Sequence, residues 1–257
     1  MKNRNINLVL FGVVLALLIT IPFFSDKIFT TTSNTPWLFS PFNSDDSLST
    51  IYKERYRVFD QYALIRQIED TTRTTVSIMI DGWGVPYDEE TLAKDFSLFE
   101  KKKALFALHK RLLGHTAHAE TTELRAGFEN GLRVGITDSA ECARMGENPT
   151  YGMKQVYCCL KCTDMNIANN LDSILSDTTW KRVAWTARET NLGDRDKLHN
   201  LLRQLAETVS RHPEVQFIIQ GTHRPILGAP ETRQKYNAHW VPAVFVNCKL
   251  KPEKKNL

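Results

Sequence analysis

An α/β fold is what this sequence predicts: a mostly parallel sheet sandwiched between helices, with one N-terminal transmembrane helix ahead of it. Three observations predict it. From about residue 75 onward, short apolar runs of strand length alternate with segments whose apolar residues recur at helical spacing. The composition is that of a globular chain, 42% hydrophobic and 24% charged over 257 residues. And residues 6–24, INLVLFGVVLALLITIPFF, carry no charge.

The apolar run comes first in the chain. Spanning a bilayer takes about 20 apolar residues, and this run is just long enough. It ends in Pro22, Phe23 and Phe24 with no Ala-x-Ala cleavage pattern behind it, so it reads as an uncleaved anchor. Lys2 and Arg4 precede it, while the flank behind it (Ser25, Asp26, Lys27) is close to neutral. That asymmetry leaves the N-terminus in the cytoplasm and the rest of the chain on the extracytoplasmic side of the cell membrane, as a single-pass protein. The expected organisation is an anchor at 1–27, a Thr-, Ser-, Asn- and Pro-rich linker at 28–46, an α/β domain at 47–248 and a basic tail at 249–257.

Within the domain each element follows from its pattern. Residues 47–69 space Ile51, Tyr52, Phe59, Ala63, Ile65 and Ile68 as a helix does. Residues 75–80 (TVSIMI) predict a strand. Residues 88–99 predict a helix, with acids in the first turn and Leu92, Phe96 and Phe99 on one face. A strand at 104–108 and a helix at 120–128 follow, then one or two helices over 153–175. Residues 182–187 (RVAWTA) predict a strand. Residues 194–210 predict an amphipathic helix with Leu198, Leu201, Leu202, Leu205 and Val209 along one face. Strands at 216–220 (QFIIQ) and 243–247 (AVFVN) complete the series. There is no internal repeat and no glycine-rich phosphate loop.

In an open α/β sheet, ligands bind beyond the carboxyl ends of the strands. Asp81 follows the first strand, in Asp81-Gly82-Trp83-Gly84. His109 follows the second and leads to Gly114-His115-Thr116-Ala117-His118-Ala119-Glu120. Arg188, Glu189 and Asn191 follow RVAWTA, and Gly221-Thr222-His223-Arg224-Pro225 follows QFIIQ. Carboxylate and imidazole together are ligands for zinc or manganese. A hydroxyl beside such a cation becomes a nucleophile, and arginine suits an anionic phosphate or sulfate. Each residue also has a structural explanation. Asp81 can cap a turn, Thr116 can cap the helix holding Glu120, and His223 can be a loop histidine with its bonds satisfied. Their recurrence at successive strand ends favours chemistry.

Three of these, Asp81-Gly82-Trp83-Gly84, Gly114-His115-Thr116-Ala117-His118-Ala119-Glu120 and Gly221-Thr222-His223-Arg224-Pro225, resemble the alkaline phosphatase superfamily, and within it the sulfatase-like branch of lipoteichoic acid synthases and phosphoethanolamine transferases. The resemblance spans roughly residues 74–247 but rests on short stretches. It implies a membrane-anchored, metal-dependent phosphoryl or sulfuryl hydrolase or transferase. Thr116 would be the nucleophile, and Asp81, Thr116 and His223 the ligands of a divalent metal, zinc or manganese. Arg188, Arg224 and His118 would bind substrate, an anionic or lipid-linked molecule. Two departures stand out. Thr222 occupies the place of the family's aspartate before the histidine, and the stretch between Thr116 and His223 is short. The second reading is therefore a catalytically impaired sulfatase-like domain acting as an anchored binding or assembly protein.

The five cysteines are Cys142, Cys158, Cys159, Cys162 and Cys248. Outside the cell the cysteines read as one or two structural disulfides, Cys142 with one of Cys158, Cys159 or Cys162 first, and the odd count leaves at least one thiol free or intermolecular. A thiol redox function for Cys159-x-x-Cys162 is the third reading, disfavoured because the motif falls in a predicted helix rather than at a strand-to-helix junction. Lys and Arg total 33 against 29 Asp and Glu, a net charge of +4 with no concentrated basic stripe. Nucleic acid is thereby excluded as the expected partner.

Overall fold

A computed structural model describes residues 48–60, 63–111, 113–128, 130–137, 155–160 and 163–252. The predicted anchor, the linker, Cys142, Cys162 and most of the basic tail lie outside the described residues. Among the described residues no helix is long and apolar enough to cross a membrane.

The chain enters through a short helix, α1 (Thr50–Arg55), and a three-residue strand, β1 (Arg57–Phe59). Alternation follows: β2 (Thr75–Ile80), α2 (Glu89–Ser97), β3 (Ala104–Lys110), α3 (Thr116–Gly127), β4 (Leu132–Thr137), β5 (Gln155–Leu160), α4 (Asp164–Ser176), β6 (Arg182–Ala187), α5 (Arg195–Arg211), β7 (Gln216–Gly221), the single turn α6 (Pro230–Arg233) and β8 (Trp240–Val246). The eight strands form one sheet in the order β1-β3-β8-β7-β2-β6-β4-β5. All pairings are parallel except those of β8, which lies antiparallel between β3 and β7. The α/β architecture and its mostly parallel sheet are those the sequence predicts.

The local reasons are visible in the residues. In β2 and β7 every residue is buried, as central strands covered on both faces require. Asp88 and Asp194 cap α2 and α5 by accepting backbone N–H groups from the first turn. In α5, Leu198, Leu201, Leu202, Leu205 and Val209 are all buried. Each such side chain contributes about 1.5–3 kcal/mol of gross hydrophobic stabilisation. Side chains alternate along the strands into two apolar layers. One layer joins Val76, Ile78 and Ile80 to helices α2, α4 and α5. The other joins Met79, Ala107 and Phe245 to Leu124 and Phe128 beside α3 and to Leu64, Ile65 and Ile68.

Three expectations are corrected. The predicted helix over 47–69 is broken: only Thr50–Arg55 is α-helical, β1 follows, and Leu64–Gln67 is a single 3-10 turn. Its apolar residues face two different layers, which one helix cannot do. Residues 153–175 are a strand and then a helix, so Cys158 and Cys159 lie on β5. The Cys158-Cys159 pair thus falls at the end of a strand rather than in the predicted helix, and α4 begins at Asp164. The third correction is β4, which the sequence reading passes over. Cys248 is a free thiol, half-buried, and burial pushes its pKa up to about 12.

Candidate active site

The site lies where strands β2, β7 and β3 end. Strands β2 and β7 are parallel neighbours, with Ile80 opposite Gly221. The next residues, Asp81 and Thr222, therefore emerge side by side. Asp81, Thr222 and His223 are all buried. The Thr222 hydroxyl donates to Asp81 Oδ1 at 2.6 Å. Thr116 arrives from β3 on the far side of β8. It is the first residue of α3, and its Oγ1 lies 2.8 Å from Asp81 Oδ2 and 3.2 Å from His223 Nε2. His115, not Thr116, caps this helix: its ring accepts the His118 N–H. The Thr116 hydroxyl is thus turned into the cluster rather than spent on the helix end.

The tautomer of His223 follows from its partners. Nδ1 stands 2.6 Å from the Arg224 carbonyl oxygen, which can only accept, so Nδ1 carries the hydrogen. Burial holds the His223 pKa below its ordinary value, against the opposing pull of Asp81, and the ring is neutral near pH 7. Nε2 is then a bare lone pair facing Thr116. Two acceptors, Asp81 Oδ2 and His223 Nε2, share one hydroxyl with one proton. A convergence of electron pairs short of hydrogens is what a cation relieves. Carboxylate, imidazole and hydroxyl are suitable donors for zinc or manganese. The set is small, however. Among the described residues no three His, Cys, Asp or Glu side chains group closely enough to hold a metal ion. Thr222, in place of an acid, is the local reason.

The turn that carries Asp81 is fixed tightly. Asp81 N donates to the Ala187 carbonyl, and Thr190 Oγ1 donates to the Asp81 carbonyl. Gly82 follows with φ of +77°, and a Cβ there would stand 2.6 Å from the Thr190 carbonyl oxygen. Only glycine meets both conditions.

A second polar group stands one helical turn beyond Thr116. Glu120 is buried and accepts from both sides: the Arg133 guanidinium at 3.2 Å and the Thr186 hydroxyl at 2.8 Å. Arg188 reaches it at 3.6 Å while most of its side chain stays in solvent. Glu120 therefore holds Arg188 beside α3. Asp164, the first residue of α4, accepts the Glu189 N–H at 2.7 Å and fixes the turn that follows Arg188. Burial raises the Asp164 pKa to about 6.

Of the predicted site residues, Asp81, Thr116 and His223 come together, and Thr222 joins them. Arg224 is adjacent and half-buried, its pKa lowered by burial. Arg188 is placed through Glu120. His118 is half-buried, its pKa lowered first by burial and then by His115. Among the described residues, no hydrogen bond joins its ring to Thr116 or Asp81. Glu120, Arg133, Thr186 and Asp164 were not predicted. The spacing Thr116 to Glu120, one turn on a helix, was the one available signal for Glu120; Arg133 lies on the unpredicted strand β4.

No family model matches this chain, and no curated protein matches it. Solved structures do. The likeness is one of fold. The lipoteichoic acid synthase LtaP from Listeria monocytogenes matches at 10% identity and a TM-score of 0.47, over 72% of this chain and 66% of that one. The Streptococcus pyogenes phosphoglycerol transferase GacH, solved with sn-glycerol-1-phosphate, matches at 10% identity and a TM-score of 0.45, over 74% and 72%. A Vibrio parahaemolyticus protein of the alkaline phosphatase superfamily matches at 11% identity and a TM-score of 0.47, over 71% and 62%.

Proposed function

We propose that this protein is a membrane-anchored phosphoryl or sulfuryl transferase or hydrolase with Thr116 as nucleophile. The single observation that supports it is the Thr116 hydroxyl held between Asp81 and His223, with the lone pair of His223 Nε2 aimed at it. Thr116 Oγ1 attacks the phosphorus or sulfur, and its proton passes to His223 Nε2 while Nδ1–H stays on the Arg224 carbonyl. The bond to the leaving oxygen breaks as that oxygen takes the proton from His223 Nε2, which leaves His223 neutral. An acceptor hydroxyl or water then attacks the ester on Thr116 and gives its proton to His223, which passes it to Thr116 Oγ1 as the bond to Thr116 breaks. The positive end of the α3 macrodipole lies at Thr116 and favours negative charge there. Arg188 and Arg224 grip the substrate's anionic oxygens, with His118 at the margin. In the metal-loaded form Asp81, Thr116 Oγ1 and His223 Nε2 would instead hold a divalent metal, and His223 would then be a ligand rather than the base. When bound, it would lower the hydroxyl's pKa and offset charge on the group being transferred.

The expected setting belongs to the same proposal. Residues 1–27 anchor the chain, 28–46 link, and 47–248 form the extracytoplasmic domain. There Cys142 and one of Cys158, Cys159 or Cys162 form a disulfide. Proximity to the bilayer suits an anionic, lipid-linked substrate. Thr116→Ala is expected to abolish turnover of a phosphodiester or sulfate ester while leaving the melting temperature nearly unchanged. Undiminished turnover in that variant rejects the nucleophile.

One observation favours the second reading, an impaired domain that binds or assembles: Thr222 fills the place of an acidic ligand and engages Asp81 Oδ1. Metal analysis of the purified protein separates the two. About one zinc or manganese per chain supports the enzyme. Metal-free protein indifferent to chelator supports the binding protein.

A further inference from the structure

Exposed apolar side chains are unevenly placed on this domain. Six large ones are exposed among the described residues: Ile51, Tyr87, Leu113, Tyr157, Leu192 and Leu227. Four of them follow the strands that build the site. Tyr87 lies after β2, Leu113 after β3, Leu192 after β6 and Leu227 after β7. They are 61%, 46%, 60% and 65% exposed. The loops meet one another. Gly228 packs against the Leu192 carbonyl, Gly114 against His223, and Tyr87 N donates to the Lys235 carbonyl. A rim of solvated apolar groups thus stands around the strand-end edge.

The chain enters the domain at the same edge. The Tyr52 hydroxyl of α1 donates to the Pro86 carbonyl, next to Tyr87. One turn later Tyr56 packs on Phe96, which stacks on Phe106 within β3. The helix therefore starts beside the loop after β2 and runs inward, and it leaves Ile51, 56% exposed, on the rim. Leu48 is the first described residue, and the uncharged run at 6–24 precedes it in the sequence.

We infer that the apolar rim around the site rests on the surface of a phospholipid bilayer, so that the catalytic edge faces the membrane. The inference rests on the reading of residues 6–24 as an anchor, and it does not depend on turnover. Single exposed leucines are ordinary; several gathered on one edge mark an interaction surface. Exposed charges on the same loops have both signs, Arg188 and Lys235 against Glu189 and Glu231. Attraction to lipid is therefore mainly apolar, and net membrane charge is not required.

The test uses the full chain in phosphatidylcholine vesicles whose acyl chains carry bromine, a contact quencher of tryptophan. Tyr87→Trp, Leu192→Trp and Leu227→Trp are made singly, with Glu207→Trp on the exposed face of α5 as the control. The parent's own five tryptophans set the baseline. Emission added by each rim tryptophan is expected to fall about twofold in brominated vesicles, as for side chains seated at the headgroup–acyl boundary. Emission added at position 207 is expected to stay level. Three results overturn the inference. Rim positions unquenched while the chain sediments with vesicles reject the orientation alone. Equal quenching at position 207 does the same. A chain that stays in the supernatant rejects both the orientation and the anchor.

Discussion

Thr222→Asp is the sharpest probe of the candidate metal centre. In the structure the Thr222 hydroxyl donates to Asp81 Oδ1 at 2.6 Å, and both residues are buried. The substitution exchanges that donor for a second carboxylate. With charge centres roughly 4 Å apart and an effective dielectric of about 20, the repulsion is about 4 kcal/mol. Protonating one carboxyl instead costs about 1.4 kcal/mol for each pH unit above its ordinary pKa of about 3.9, hence about 5.6 kcal/mol at pH 8 and about 1.5 at pH 5. The smaller penalty governs, so destabilisation is about 4 kcal/mol at pH 8 and about 1.5 at pH 5. For a domain of this size those values lower Tm by about 8–16 °C and about 3–6 °C respectively. Manganese should recover about two-thirds of the loss at pH 8, because the cation supplies the charge that two carboxylates lack. At about 100 times its Kd it returns about 2.7 kcal/mol. Circular-dichroism melts of the full chain at the two pH values, with and without manganese, measure all four numbers. A variant that melts within about 2 °C of the parent at pH 8, whatever the metal, refutes the view of Asp81 as an anionic centre shared with position 222.

Two further outcomes follow from the same geometry. If neutral His223 takes the Thr116 proton, kcat/KM falls with a one-proton slope as pH drops through the His223 pKa. Burial puts that pKa below about 6.5, and His223→Gln should remove the limb along with most of the activity. Glu123 and Arg111 form a fully buried ion pair at 3.4 Å; Glu123 also accepts the Leu64 N–H, and Arg111 donates to Gln220. Glu123→Ala leaves the arginine without its counter-charge and should cost about 3–5 kcal/mol, or about 6–20 °C in Tm by differential scanning calorimetry; a loss under about 2 °C contradicts this.

Much of this arrangement was legible in the residues, for specific reasons. TVSIMI, RVAWTA and QFIIQ are unbroken apolar runs with polar ends, and β2, β6 and β7 coincide with them nearly residue for residue. Because β2 and β7 are neighbours, reading their ends correctly also places Asp81 beside His223. Thr116 is legible only by resemblance, since nothing local shows that α3 turns its first hydroxyl toward β7. Strand β8 was read three residues late. Pro242 argues against a strand interior, yet it lies just past the last β7 pair, Gln220 with Ala243, where its missing N–H interrupts no β7 ladder bond. Strands β4 and β5 were missed because LRVGIT contains a glycine and QVYCCL has no clear period. With them went Arg133 and the role of Glu120. Thr222 was read as a weak ligand; the fold shows it as a hydroxyl donor that orients Asp81.

The place of β8 bears on how the protein comes into being. Thr116 belongs to the β3–α3 half of the sheet, and Asp81 and His223 to the β2–β7 half. Among the described residues, strand β8 is the last strand and the only one that pairs with both. Thr116 and its partners Asp81 and His223 thus gain a common neighbouring strand only once residues 240–246 are in place. Pairings of such long sequence separation form late. A chain without these residues therefore carries Thr116, Asp81 and His223 without the strand that joins their two halves of the sheet.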